Sequence, residues 1–288
     1  MTSSRLRVRK TYKLFMDGAF CRSESGRTFA APTKNGTIHA ARASRKDARD
    51  AVRAARAAWL GWRDRSAYNR GQILYRLAEM LESRSGQLLE ALRLSGESAA
   101  AARAEVAAAI DRAVWYAGWC DKIEQVLSTK NPVGNTHFNV SSPEPAGVVA
   151  IVAPTRPGLL GLVSPVAAAV CSGNTVVVLA SQRDPHSAVA LAEAIAVSDM
   201  PKGVISILTG YRSEVVPTLA AHLDVNALDL WMSGPEEQAA ALRACDNVKR
   251  VRRPGEPPAR YWSAGIDQRL ESIAAFVEIK TVWHPAGF

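Results

Sequence analysis

The sequence predicts an α/β protein: a doubly wound, Rossmann-like parallel sheet with N-terminal helices and an extended ribbon suited to oligomerisation. Three observations carry this expectation. Four short apolar runs, VVAIV, TVVVL, VISIL and ALDLW, lie between Val148 and Trp231, and continuous β-branched runs of this kind are strands buried on both faces. Each is followed by a helical pattern, at residues 159–170, 185–197, 213–222 and 235–244, the alternation that builds a parallel sheet covered on both sides. Between Ala146 and Gln182 the only charged residue is Arg156. Pro154, Pro157, Gly158, Pro165 and Gly173 interrupt that stretch before an apolar run of roughly 18 residues accumulates, so it reads as a buried core rather than a membrane span.

The remaining elements follow in chain order. Residues 13–16 and 19–22 flank Asp17-Gly18, a hairpin signal, and a further turn is expected near Ser25-Gly26. Ser44, with Asp47 three residues on, has the spacing of a capping box, and Ala48, Val52, Ala55 and Trp59 continue at helical spacing. Two long helices are expected over residues 67–94 and 99–125, where alanine, leucine and arginine dominate. After Asn131-Pro132, Thr136, Phe138 and Val140 alternate as an extended ribbon over about 131–146, an exposed pair of strands that another subunit could join. The tail holds an irregular RRPGEPP, a helix over residues 267–275 and an edge strand in AFVEIKTVW.

Composition narrows the function classes. Cys21, Cys120, Cys171 and Cys245 are widely spaced, form no CxxC pair and have no neighbouring histidine cluster, so reduced thiols, a cytoplasmic setting and no metal site are expected. The basic N-terminus runs into YKLFMDGAF rather than an apolar segment with a cleavage site, and no secretion signal is read there. The net charge of +9 is spread over Arg5 to Lys10, Arg42 to Arg65 and the run Lys249, Arg250, Arg252, Arg253. No aromatic-interleaved reading motif accompanies it, so a solvated surface is expected rather than a nucleic-acid interface. Trp59, Trp62, Trp115 and Trp119 are spaced three and four residues apart, the spacing of helix-packing anchors.

KLFMDGAF, AARAAWLGWRDRSAYNRGQILYRLAEMLE, AEVAAAIDRAVWYAGWCDKI, AGVVAIVAP, GNTVVVLAS and PKGVISILTG, in this order, resemble the NAD-binding half of the aldehyde dehydrogenase family. The resemblance covers residues 12–251 and resumes in EIKTVW, similar to that family's C-terminal strand. It implies a domain of the NAD-binding type over 1–258 and a C-terminal helix and strand over 259–288 that complete the oligomerisation region. The family's inserted catalytic domain, which carries its nucleophilic cysteine, is expected to be absent between Pro258 and the tail. No cysteine of this chain matches the nucleophile's motif.

The same resemblance places the cofactor and reaction loops on positions that depart from the family pattern. Arg156, after Thr155, falls on the asparagine of the family's PWNFP, whose amide donates to the oxyanion. Leu179, Ala180, Ser181 and Gln182 fall on KPSE, whose lysine and glutamate hold the adenosine ribose; leucine donates nothing, and glutamine accepts more weakly than a carboxylate. In the turn MSGPEEQ, Ser233 and Gly234 precede Pro235, which lacks an amide donor, and Glu236 and Glu237 are expected to satisfy the helix terminus where a phosphate would sit. The family's ELGG glutamate is replaced by RRPGEPP, in which Glu256 reads as a linker residue. Thr155, Arg156, Leu179, Ser181, Gln182, Ser233 and Gly234 are therefore degenerate cofactor positions. The expectation is a non-catalytic subunit without NAD, similar to the cysteine-free second module of two-module aldehyde dehydrogenases, and associating with itself or a full-length aldehyde dehydrogenase. The alternative is an NAD-dependent aldehyde dehydrogenase active only with a partner that supplies the nucleophile, which leaves residual NAD binding open.

Overall fold

A computed structural model describes residues 10–34, 36–134, 136–263, 265–266 and 268–285. The basic stretch before Lys10 and Asp267 of the expected tail helix lie outside them.

The chain opens with the expected hairpin, strands β1 (Leu14–Met16) and β2 (Ala19–Cys21). Asp17 and Gly18 both take positive φ, 49° and 72°, as a two-residue turn matched to strand twist requires. A Cβ at Gly18 would lie 2.7 Å from Lys202 Cγ, so glycine serves both the turn and the packing. A second hairpin, β3 (Thr28–Thr33) and β4 (Gly36–Ala41), follows without having been anticipated.

Helix α1 (Arg45–Arg63) starts at the expected capping box: Ser44 Oγ accepts from the Lys46 and Asp47 amides, and Asp47 accepts from the Ser44 amide. Asp47 is buried and also receives Ser23 Oγ at 2.7 Å and the Glu24 amide at 3.1 Å, tying the hairpin region to the helix. We expect Ser44→Ala to cost about 1 kcal/mol, read as a lower denaturant midpoint at unchanged slope. Ala48, Val52 and Ala55 are buried as expected, but Trp59 stays half-buried between Arg56 and Arg63, and Trp62 takes the core position instead.

The expected helix over 67–94 is two, α2 (Ala67–Ser83) and α3 (Ser85–Leu94). Arg84 between them leaves helical geometry (φ −105°, ψ 13°), and Ser83 Oγ turns back to the Met80 carbonyl, the competition by which serine weakens a helix interior. The next helix also stops early: α4 (Ala99–Trp119) ends beside Gly118, and α5 (Ile123–Leu127) follows. Strands β5 (Thr129–Asn131) and β6 (His137–Pro145) then form the ribbon.

The alternating core comprises β7 (Val148–Val152), α6 (Leu160–Cys171), β8 (Thr175–Leu179), α7 (Pro185–Ile195), β9 (Ile205–Leu208), α8 (Arg212–Ala221), β10 (Ala227–Leu230), α9 (Pro235–Ala244) and β11 (Arg250–Arg252). The sheet runs β11-β10-β7-β8-β9-β1-β2. The five strands from β11 to β9 are parallel, and the hairpin adds an antiparallel edge. On one face Val149, Ile151, Val176 and Val178 pack with α2, α4, α6 and α7. On the other Val148, Ala150, Val152 and Leu179 pack with α1, α8 and α9. Every residue of α6 is buried, as its apolar, charge-free sequence dictates.

The tail contains a helix that the sequence did not suggest, α10 (Ala259–Ser263), then α11 (Leu270–Ala274) and β12 (Val277–Pro285). The expected helix over 267–275 is thus shorter. α10 forms because Tyr261 and Trp262 dock on Trp231, with ring centroids 5.9 and 4.9 Å away, a tertiary contact invisible to local propensity. β12 pairs antiparallel with β6 from Val277↔Pro145 to Pro285↔His137, giving a sheet β12-β6-β5.

Candidate functional site

The strand order sets β7 beside β10, although two strands intervene between them in sequence. At such a reversal the crossovers diverge to opposite faces and leave a crevice outside the carboxyl ends of the strands, where α/β folds hold their ligands. The loops at this edge are 153–159 after β7, 180–184 after β8, 231–234 after β10 and 253–258 after β11.

Arg156 is engaged in an exposed ion pair. Its Nη1 donates to Glu97 Oε1 at 2.6 Å, and its side chain is 61% exposed; such rim pairs contribute about 0–1 kcal/mol. Thr155, by contrast, is tied inward. Its hydroxyl donates to Glu256 Oε1 at 2.9 Å, and its carbonyl accepts from Ser181 Oγ at 3.2 Å. Arg212, at the start of α8, donates to the Ala153 carbonyl at 2.9 Å, Thr155 Oγ1 at 3.4 Å and Glu256 Oε1 at 3.3 Å. Glu256, expected to be a linker residue, is therefore the point where loops after β7, β9 and β11 meet. Nothing in its local motif signals this, because two of its partners come from distant segments.

Leu179 is wholly buried in the core, Ser181 Oγ is spent on Thr155 and on the Arg183 amide, and Gln182 stands exposed. Asp184 caps α7 through the Ser187 amide at 3.0 Å and accepts from Ser95 Oγ at 2.5 Å. Burial opposes its ionisation, but hydrogen bonds from His186, Ser187 and Ser95 outweigh it and hold the carboxyl below the usual range. A Cβ at Gly158 would meet Asp184 Oδ2 at 1.9 Å, so this close approach admits only glycine. The cavity among Ser95, Glu97, Thr155, Arg156, Gly158 and Asp184 is about 20 Å³, room for one water.

A carboxylate with no distinguishing local motif contacts the end of this loop. Glu105 on α4 accepts from the Leu159 and Leu160 amides at 2.7 and 3.1 Å, filling the N-terminus of α6. Burial pushes its pKa up to about 7; the two backbone donors oppose this, and Asp184 and Glu97 add to it. A folded pKa above the unfolded one means that the native state binds more protons, so this group's contribution is fully present below pH 4.5 and is lost as pH rises to about 7. At 1.36 kcal/mol per unit the loss is about 3 kcal/mol. Both amides bond to one oxygen, which glutamine retains. We expect Glu105→Gln to abolish this slope and to exceed wild type in stability at pH 8, as measured by urea unfolding between pH 5 and 8.

The start of α9 departs from expectation. Glu236 and Glu237 do not cap it: no side chain does, Glu236 is exposed, and Glu237 pairs with Arg253, whose Nη2 lies 2.8 Å from Oε2. The reason is Arg253 itself, which leaves β11 close enough to offer a charge-assisted pair and holds the Glu237 carboxyl below its ordinary range. Ser233 is exposed, and Gly234 takes φ 88° with open space where a Cβ would stand.

The thiols lie elsewhere. Burial pushes Cys120 up to about 12 and Cys171 well above its ordinary value. Cys21 is raised by burial and then by Asp47, and Cys245 is exposed just past the far end of α9. Among the described residues no cysteine joins the crevice network, and no cluster of metal-ligating side chains is found. The basic run is largely engaged within the chain: Arg250 faces Glu278 at 3.8 Å, Arg252 faces Asp229 at 3.2 Å, and Arg253 pairs with Glu237. A concavity of about 560 Å³ among the described residues is an open groove lined by α2 and α4, with no residue of the crevice loops. No helix of the described residues is long and apolar enough to cross a membrane.

The aldehyde dehydrogenase family profile matches residues 22–252, and the chain belongs to that family. DhaS of Bacillus subtilis is 32% identical over 248 residues, 84% of this chain and 50% of that protein. Mouse cytosolic 10-formyltetrahydrofolate dehydrogenase is 33% identical over 257 residues, 86% of this chain and 28% of that enzyme. PnpE from Pseudomonas sp. WBC-3 superposes with a TM-score of 0.80 at 28% identity, covering 84% of this chain and 50% of PnpE; one PnpE structure holds nicotinamide adenine dinucleotide. The chain thus spans half, or less, of the length of these relatives. At the positions where the family pattern has its ribose-binding lysine and glutamate the chain has Leu179 and Gln182, and the crevice loops are bonded to one another.

Proposed function

We propose that this chain is a non-catalytic aldehyde dehydrogenase-like subunit that supports or regulates an active aldehyde dehydrogenase by associating with it. The observation that carries this reading is the crevice: Thr155, Arg212 and Glu256 are satisfied by each other where a cofactor would need free donors. Two further features support it. Only residues 253–276 separate β11 from β12, fewer than an inserted catalytic domain needs, so we assign 1–258 to the domain of the NAD-binding type and 259–288 to the tail. The outer edge of β12 has no strand partner among the described residues, and the ribbon exposes Phe138, Val140, Val282 and Trp283, an edge and apolar surface suited to another subunit.

The test is assembly. Mixed with a full-length aldehyde dehydrogenase from the same cell, the chain is expected to co-elute as a complex whose mass by light scattering exceeds that of either component. A monodisperse monomer that never co-purifies with a dehydrogenase would sink the reading. One observation favours a second: the uncapped start of α9, with Gly234 open beside it, leaves backbone donors that residual NAD binding would use. In that case the chain is an NAD-dependent enzyme completed by a partner's nucleophile, and aldehyde oxidation would appear only in the mixture and would be lost on changing Gly234 to valine.

A further inference from the structure

We propose that residues 253–263 form a strap that closes the switch-point crevice from within the chain, with Trp262 as its anchor and Glu256 as its latch. The strap changes sides as it runs. It leaves β11 on the face packed by α9, where Arg253 Nη2 holds Glu237 at 2.8 Å. It ends on the opposite face, where Trp262 joins the core shared by α4 and α6. In the strand order β11-β10-β7 this path crosses the carboxyl edge where β10 meets β7, the ligand space of the fold.

Its sequence suits that path. Pro254, Pro257 and Pro258 limit the freedom that the segment loses on becoming ordered. Gly255 has φ 72°, which favours glycine, and it immediately precedes the residue that bonds back to Thr155. The two ends differ in strength. Trp262 is 2% exposed and packs against Trp231, tilted at 4.9 Å, and edge-on to Tyr261 at 5.3 Å, a large apolar burial reinforced by aromatic packing. The root is fastened beside it, since Arg252 lies 4.8 Å over the Trp231 ring and bonds to buried Asp229. Glu256 remains 44% exposed, so its ion pair is weak and screened. The strap is therefore tied firmly at its root and aromatic end and lightly in the middle. The latch opens first, freeing Thr155 and Arg212 while Trp262 stays seated.

This goes beyond the association reading and is tested on the isolated full chain, so either can fail alone. Hydrogen exchange followed by mass spectrometry compares wild type with Glu256→Ala, a half-exposed site whose loss leaves the core intact. Amides in 154–159 and 210–214 are expected to exchange roughly two- to five-fold faster, the effect of losing one half-exposed ion pair, while those of β8 and α2 are unchanged. Trp262→Phe is expected to speed exchange in 253–260 instead. Unchanged exchange in both loops of Glu256→Ala, or an equal rise across the whole sheet, would overturn the proposal.

Discussion

Trp62→Ala is expected to lower the unfolding free energy by about 4 kcal/mol, within the range for deleting a buried aromatic side chain. The reason is position as much as size. Trp62 lies in the last turn of α1, whose Ala48, Val52 and Ala55 pack on one face of the sheet, yet its own ring is buried in the core of the other. It reaches across the amino edge of the sheet and donates Nε1 to the Val170 carbonyl at 3.0 Å. Alanine therefore opens a cavity, unties two layers and leaves a buried acceptor without its donor. For a domain of this size the loss corresponds to a Tm lower by roughly 7 °C. Trp62→Phe separates the effects: it retains most of the packing and orphans only the carbonyl, for about 1–2 kcal/mol. Equal stability of wild type and Trp62→Ala in thermal and urea unfolding would contradict this account of the two cores.

The second large effect is expected at Asp229. This wholly buried β10 carboxylate accepts from Trp231 Nε1 at 2.6 Å and from Arg252 Nη1 at 3.2 Å. Burial raises its pKa, and the Arg252 charge together with both hydrogen bonds opposes the rise. Asp229→Ala leaves an indole N–H and a guanidinium without their acceptor, and breaking a buried pair in this way costs about 3 kcal/mol. Because the strap leaves the sheet at Arg252, the variant is also expected to quicken hydrogen exchange in 253–263. Asp229→Asn still accepts from the indole and should cost about half as much. Urea unfolding of the pair of variants checks the order; equal losses would show that the charge on Asp229 accounts for the whole effect and that the indole hydrogen bond contributes nothing.

The parallel sheet was legible because its strands are continuous β-branched runs, and a run such as TVVVL has no alternative to burial on both faces. The start of α9 was legible because Pro235 suits the first helical position, and the Ser44 capping box because cap chemistry is local. The helix breaks at Arg84 and after Trp119 were not: Ser83 and Gly118 also occur inside helices, and only in the fold does Ser83 Oγ turn back to the Met80 carbonyl and α4 end beside Gly118. α10 depends on Trp231, thirty residues upstream. Of the candidate site, the sequence marked the loops but not their couplings. Glu105 is one acid on a long helix, and only the fold brings it beneath Leu159. Glu256 looked like a linker because its role depends on Arg212, which arrives from another crossover. The acids after Gly234 were misjudged because Arg253, not the helix terminus, claims Glu237.

The proposal that the chain binds no dinucleotide is tested most directly by titrating the isolated chain with NADH and following the cofactor's fluorescence. With Leu179 buried and the Thr155–Glu256–Arg212 network closed, no saturable change is expected up to millimolar cofactor. Saturable binding at micromolar NADH, abolished by excess NAD, would contradict it.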